Sequence, residues 1–498
     1  FLVLENLESI VWTSLPAHAS LALMDRALAA AEGAPVASEL RCSLLLRRAR
    51  TIHLMGRPGA REAAELALSL AVGVGDARLE GEALARLGSV DGTEGDARGG
   101  SERLRKAVAI LTKHDPRLAA NAQRALGIAL RTLGEVEEAR MAHEEALAIR
   151  ARLGDERGVP IDLACLAAVQ FQQGQVEQAR LLLNDSIARS AVFGDRYACA
   201  YALGVLGLVL AELGQLEEGT ARMEEALREL EKLGERRLYA MFIGYSALLR
   251  QLSGALPEAQ ERYERSLAAL SEQGDRLSEG LFAGAASTLA WTRDDPERAE
   301  AFYAVAVQRL TAWSSSSNAR LGPALVLYLG HRDLWLHRTS LAGGDERGAR
   351  SHLEAARARL TDTAASIDDN DDLRLAYRLL QHAVEGELPP RPQAGDVELE
   401  AEALWFRVGG RPRVDLRRRR ALRLVLRALV EERSRAPGVP VPMLRLLEVG
   451  WPGEKMLLHA GLSRLYVTVR SLRELGLRSA LLRQDDGYLL DPGVRLVG

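Results

Sequence analysis

Apolar residues recur at helical spacing through the first three-fifths of the chain, and small residues among them repeat every 40 positions. Gly134, Gly174, Gly214 and Gly254 each open a turn. Five residues later stand Ala139, Ala179, Gly219, Ala259 and, in the next unit, Ala299. Ala146, Ser186, Ala226, Ser266 and Ala306 follow, and Gly154, Gly194, Gly234 and Gly274 close the unit. A fixed period in this range predicts a solenoid, whose units bury their apolar faces only by stacking on neighbours. Apolar spacing on both sides of Gly134 makes each unit a helical hairpin with glycine at its turn. Gly127, Ala167, Gly207, Ala247 and Ser287 form a small column where two helices cross closely. Leu183, Met223, Tyr263 and Tyr303 form a bulky column that fills the next layer.

The register extends in both directions. Gly75-Asp76 after Ala67-Leu68 matches Gly154-Asp155 after Ala146-Leu147, and Ala27-Leu28 lies 40 residues before Ala67-Leu68. Downstream, Gly344-Asp345 with Ala349 and Ala356 predicts one further hairpin, shifted by ten residues. The extra residues fall at the loop-like Ser314-Ser315-Ser316-Ser317-Asn318. About eight or nine hairpins fit between residues 1 and 385, with a closing helix over 371–385.

This succession of small, turn, small, bulky and small positions resembles the tetratricopeptide repeat. Glu137-Glu138-Ala139-Arg140 and Glu144-Glu145-Ala146-Leu147 fit that family, although the unit is six residues longer than its 34-residue standard. The resemblance implies that the first helix of each hairpin lines a concave groove. Carried over residue by residue, the groove positions are Asn121, Arg124, Arg131, Phe171, Tyr201, Met241, Gln251 and Trp291. They describe a mixed apolar and basic groove for a protein, a peptide or a small effector. The competing reading makes them inter-repeat core.

After residue 385 the period changes. Pro389-Pro390-Arg391-Pro392 rules out helix or central strand and marks a linker over 386–397, so the solenoid takes 1–385 and a second domain 398–498. There, 399–408, Gly409-Gly410 and 412–416 read as a β-hairpin. Helices follow at about 417–435, 441–449 and 457–475, and 481–490 reads as a second hairpin turning at Asp486-Gly487.

That order resembles a winged helix-turn-helix, in particular the OmpR-type response-regulator effector domain and its relatives among antibiotic-pathway activators. The landmarks are Val449-Gly450-Trp451, the run Val467-Thr468-Val469-Arg470-Ser471-Leu472-Arg473-Glu474-Leu475, and Gly487-Tyr488-Leu489-Leu490. In Val449-Gly450-Trp451 the last two residues are exchanged relative to the family. The resemblance implies that the third helix enters the DNA major groove. Leu462, Leu465, Val469, Leu472 and Leu475 form its apolar stripe, leaving Arg464, Thr468, Arg470, Ser471 and Arg473 for outer faces. Arg417, Arg418, Arg419 and Arg420 add a run suited to phosphates. Asp485 and Asp486 stand where a basic wing tip is expected, so docking of protein remains the alternative.

Charge sharpens this division. The whole chain carries a net −3, but residues 398–498 hold 19 basic against 12 acidic residues. Only 5% of residues are aromatic, which suits stacked helices. Cys42, Cys165 and Cys199 are too few and too scattered for a disulfide framework and read as buried free thiols. No apolar run reaches a membrane span, no phosphate-binding glycine loop occurs, and the nine histidines show no metal-ligand spacing. Residues 1–8 read as a first repeat helix, and a start without Met leaves room for a preceding domain. The sequence therefore predicts a mainly α protein, a tetratricopeptide-like α-solenoid followed by a small α+β winged-helix domain. The expected function is that of a cytoplasmic, bacterial-type transcriptional regulator without cofactor or catalytic residues. The alternative is a protein-interaction scaffold, possibly part of a larger ATPase or kinase regulator.

Overall fold

The computed structural model describes residues 17–31, 38–316, 321–366, 370–387, 397–400, 402–408, 412–436, 438–454, 458–478, 480–484, 487–491, 494 and 496–497. The chain divides into two compact units, 1–387 and 388–498. The first is a helical solenoid. Helix α1 (Ala17–Ala31) precedes eight hairpins among the described residues. These pair α2 (Ser38–Leu54) with α3 (Ala60–Val74), α4 (Ala77–Glu94) with α5 (Ala97–His114), and α6 (Pro116–Leu133) with α7 (Val136–Leu153). They continue with α8 (Val159–Gln172) and α9 (Val176–Phe193), then α10 (Arg196–Glu212) and α11 (Leu216–Leu233). The last three are α12 (Arg236–Leu252) with α13 (Leu256–Gln273), α14 (Arg276–Thr292) with α15 (Pro296–Ser316), and α16 (Gly322–Ala342) with α17 (Glu346–Thr363). Helix α18 (Asp371–Gly386) closes the unit.

Both turns of a repeat stop their helix in the same way. Gly134 and Gly154 adopt φ of 81° and 63°, a left-handed conformation that is strained for residues with a Cβ. At the first, Gly134 N–H donates to Arg131 O and Glu135 N–H to Leu130 O, closing the carbonyls of the last turn. At position 294 the glycine column holds Asp294, still at φ 60°, and its carboxylate accepts a 2.6 Å bond from Trp335 Nε1. Aspartates after the closing glycines begin the next helix. Asp195 and Asp275 accept from Ala198 N and Ser278 N at 2.9 and 3.1 Å.

The small column lies where helices touch. A Cβ on Gly207 would stand 2.7 Å from Gly219 O, and one on Gly127 2.5 Å from His143 Nε2. Leu183, Met223 and Tyr263 are fully buried between layers, while Tyr303 is half-buried. Cys42 and Cys165 are buried free thiols and Cys199 is half-buried. Ser314-Ser315-Ser316, read as loop, belong to the end of α15, which runs 21 residues; 317–320 lie outside the described residues, as do 1–8.

Helix α18 is not simply the next layer. Its apolar face (Leu373, Leu375, Ala376, Leu379, Leu380 and Val384) is buried. Its polar face reaches far back along the array. Arg374 donates to the carbonyls of Phe171 and Gln172, and Arg378 to those of Ala211 and Glu212. Four residues along α18 thus span one 40-residue repeat.

The second unit packs strands around three helices. A four-stranded sheet runs in the order β3 (Val414–Asp415), β2 (Trp405–Val408), β1 (Val397–Leu399), β7 (Leu496–Val497), with β7 parallel to β1. Helices α19 (Arg420–Arg435), α20 (Met443–Gly450) and α21 (Leu458–Leu472) follow, and a short turn of wider helix (Arg473–Leu477) extends the last. A three-stranded sheet orders β4 (Val441–Pro442), β6 (Gly487–Leu490) and β5 (Leu481–Gln484). The core joins Val397, Phe406, Leu426, Leu446, Leu465 and Leu490.

Three details differ from the sequence expectation. The segment 399–408 is not one strand, because Ala403 at φ 52° separates β1 from β2, which pair with each other; the expected hairpin pairing is present between β2 and β3. Of the four arginines expected to begin the first helix only Arg420 is helical, with Arg417 and Arg418 in a turn whose Arg417 N–H bonds Asp415. Gly487, expected in the closing turn, is a strand residue paired with Gln484, and Asp485 and Asp486 lie outside the described residues.

Candidate functional site

A cavity of about 820 Å³ lies within the solenoid, walled by the first helices of successive hairpins and by the first turn of α18. Of the eight groove positions expected from sequence, Asn121, Arg124, Arg131, Tyr201 and Met241 line it. Phe171, Gln251 and Trp291 do not, and all three are buried. The reason is geometric. The column 121, 161, 201, 241, 281 faces the cavity throughout, bringing in Ile161 and Leu281 as well. The column ten residues further on, from Arg131 to Phe171, Gln251 and Trp291, lies toward the carboxy-terminal ends of the same helices. There α18 covers Phe171, with the Arg374 guanidinium 5.1 Å from the ring centroid. Gln251 is spent between Thr288 Oγ1 at 2.8 Å and the Tyr263 hydroxyl at 3.0 Å, and Trp291 packs against Trp335. These three are inter-repeat core.

The cavity wall is dense in charge. Asp162, fully buried, accepts from Arg124 at 2.9 Å and from Arg150 Nε. Arg150 also reaches Asp155 at 2.6 Å and Asn121 Oδ1 at 2.8 Å, so a single network around Asp162 fixes four of the wall's side chains, Asn121, Arg124, Arg150 and Asp155. Arg131 stands 3.9 Å from Asp371 of α18, and the Tyr245 hydroxyl donates to Asp372 at 2.8 Å. Burial, reinforced by Asp371, pushes the Asp372 carboxyl up to about 7. Arg50, Arg86, Arg237 and Glu235 also line the cavity and were missed by the sequence reading. The 40-residue period would have found Ile161 and Leu281, but Arg50 and Arg86 precede the regular register.

In the carboxy-terminal unit, Arg417, Arg418, Arg419 and Arg420 are all exposed. On α21, Arg464 and Arg470 are exposed, each in a surface ion pair at 2.8 Å, with Glu454 and Glu474 respectively. Ser471 is half-buried. Thr468 is not outward-facing: at 5% exposure it shares the buried face with Leu465 and Leu472, one turn away on either side. Arg473 also has a structural engagement, donating from Nη2 to Leu481 O at 2.9 Å and lying 5.7 Å from the centroid of Tyr488.

Among the described residues no group of three or more His, Cys, Asp or Glu side chains is placed to hold a metal ion. No described helix is long and apolar enough to cross a membrane.

No protein-family model matches the chain, and no curated protein does. Solved structures similar to it are helical-repeat proteins. A Rap protein complexed with competence and sporulation factor is 13% identical at a TM-score of 0.46, covering 69% of this chain and 98% of its own. A signal transduction ATPase with a tetratricopeptide repeat sensor, from Pyrococcus horikoshii, is 14% identical at 0.40, covering 68% of this chain and 55% of its own. The apo form of the quorum sensor NprR from B. thuringiensis is 13% identical at 0.39, covering 68% and 97%. At such identities and scores these similarities carry nothing about ligand or output.

Proposed function

We propose that this protein is a cytoplasmic transcriptional regulator, in which the solenoid senses a peptide or small effector in its cavity and the carboxy-terminal unit binds DNA as a winged helix. The observation that carries the output half is the set of exposed arginines on that unit, Arg417, Arg418, Arg419 and Arg420 with Arg464 and Arg470 on α21. The order of strands, three helices and closing hairpin is the one in which a third helix enters the major groove. Surface ion pairs such as those of Arg464 and Arg470 contribute little to stability, so phosphates can replace their carboxylate partners. The sensing half rests on the cavity, whose size suits a small molecule or a short peptide. No step in this reading calls for catalysis or a cofactor.

The test is binding of the full chain to random duplex DNA by fluorescence anisotropy at two salt concentrations. Affinity that falls steeply with salt, followed by selection of a defined sequence, supports the reading. Absence of binding at low salt overturns it.

A second reading, protein docking by the winged helix, is favoured by one observation. Val467 on α21, between Arg464 and Arg470, is 64% exposed and Leu444 on α20 is exposed too, so the unit also presents apolar side chains.

A further inference from the structure

Arg50, Arg86 and Arg124 come from α2, α4 and α6, three successive first helices, and all line the cavity. Arg124 is committed to Asp162. Arg86 is different. It is half-buried on the cavity wall, its buried Nε has no hydrogen-bond partner among the described residues, and none of their ion pairs includes it. Burial together with Arg50 and Arg124 pushes it down to about 10, against the attraction of Glu82. His53, another wall residue, is held neutral by burial and by the charges of Arg237 and Arg86. A partly desolvated cation among like charges is destabilising unless an anion completes it.

Glu235 is another wall group left incomplete among the described residues. It is 8% exposed with Oε2 unpartnered among the described residues, and burial raises its carboxyl to about 7 despite Arg50. Much of it is therefore protonated at neutral pH, where it competes weakly for the arginines and can donate to a ligand oxygen.

We propose that Arg86, flanked by Arg50 and Arg124, anchors an anion-binding subsite of the cavity, which takes a carboxylate or phosphate group of the effector. The inference deepens the sensing reading above and rests on the cavity being the effector site. The same wall continues through Arg131 to Asp371, so an anion entering here competes with the first turn of α18 for arginine. Helix α18 is the last described helix of the first unit.

The test titrates the full chain with inorganic phosphate and, separately, with succinate at constant ionic strength, following heat by calorimetry and the thermal unfolding midpoint. Saturable binding of either anion with a raised midpoint is expected. Phosphate alone points to a phosphorylated effector, and succinate alone to a carboxylate. Arg86→Met is expected to bind at least about tenfold more weakly, the loss of one charge-assisted hydrogen bond. It should also unfold at a higher temperature than the wild type without ligand, because an unpartnered cation has gone. Should that variant not fold, Arg50→Gln carries the binding test. No saturable binding to the wild type, or wild-type binding by the variant, overturns the subsite. DNA binding measured on the same samples separates the two readings. Anion binding without DNA binding sinks only the transcriptional output, and DNA binding without anion binding sinks only the subsite.

Discussion

Arg374 Nη1 donates a 2.8 Å hydrogen bond to the backbone carbonyl of Gln172, 202 residues earlier in the chain. Gln172 ends α8, where helical carbonyls have no partner of their own, and a guanidinium is well shaped to hold two of them at once. Arg378 repeats the arrangement one repeat later at Ala211 and Glu212, and adds an ion pair to the Glu212 carboxylate at 2.8 Å. The closing helix therefore fixes the spacing of neighbouring repeats. Arg374→Ala is expected to destabilise the solenoid by about 1–3 kcal/mol, the range for leaving buried acceptors unpaired. Arg374→Lys should recover only part, since an ammonium lacks the planar fork. Denaturant midpoints of the two variants check this. Equal midpoints for Ala and wild type would show that the clamp does not hold the repeats.

Glycine substitutions should change stability in opposite directions according to position. Gly207→Ala puts a Cβ 2.7 Å from the Gly219 carbonyl, backbone that cannot step aside alone, and should destabilise by about 1–3 kcal/mol. Gly73, helical in α3 with nothing within 4 Å of an added Cβ, should gain up to about 1 kcal/mol as alanine. Thermal midpoints moving in the same direction for both would contradict the helix-crossing role of the small column.

How much of this was legible beforehand follows from the range of each interaction. The glycine and alanine columns are local, and the hairpins they imply are present with glycine in the left-handed region at positions such as Gly134 and Gly154. The column through 121, 201 and 241 faces the cavity because the repeat geometry is regular. The fate of Phe171 was not legible, because it is decided by a helix two hundred residues away. Thr468 failed for a shorter-range reason: it sits between Leu465 and Leu472, and a stripe drawn only through apolar residues passed over it.

The buried histidines make the protein sensitive to acid. His143 is 1% exposed, neither ring nitrogen has a partner among the described residues, and burial with the charges of Arg124 and Arg131 lowers its pKa to about 3. The unfolded chain takes up that proton near the ordinary value of 6.5, so between about 6.5 and 3 it binds more protons than the folded chain. Stability consequently rises with pH across this window and is lost as pH falls through it, by roughly 1.4 kcal/mol per unit for each such group. His331 is lowered to about 3 as well and adds to the slope. Urea midpoints at pH 7.5 and 5.0 should differ markedly in the wild type and less in His143→Leu. An unchanged difference would place the acid sensitivity elsewhere.

Asp162 carries the cavity wall's charge balance. Replacing it with Asn leaves the Arg124 and Arg150 guanidiniums without their shared carboxylate, in a setting where breaking one partner of a buried pair destabilises by about 3–5 kcal/mol. Asp155 and Asn121 still hold Arg150, which places the expected loss at the lower end of that range. A chemical denaturation series on Asp162→Asn measures it.

Two arginines three residues apart on the carboxy-terminal unit should separate contact from scaffold. Arg470 is 79% exposed at its side chain and among the described residues pairs with Glu474, whereas Arg473 is tied to Leu481 O and lies against Tyr488 at the start of the closing hairpin. Arg470→Ala should leave the unfolding midpoint of the chain unchanged and reduce the salt dependence of DNA binding by about one unit of slope, the loss of one phosphate contact. Arg473→Ala should lower the unfolding midpoint of the unit that contains it, because Leu481 loses its side-chain donor and Tyr488 its covering cation. Any loss of DNA binding in that variant should track the loss of folded unit, and recover on cooling. If instead Arg473→Ala weakens binding at an unchanged midpoint, Arg473 releases Leu481 to meet the nucleic acid, and the outward face of α21 extends one turn further than the free structure displays.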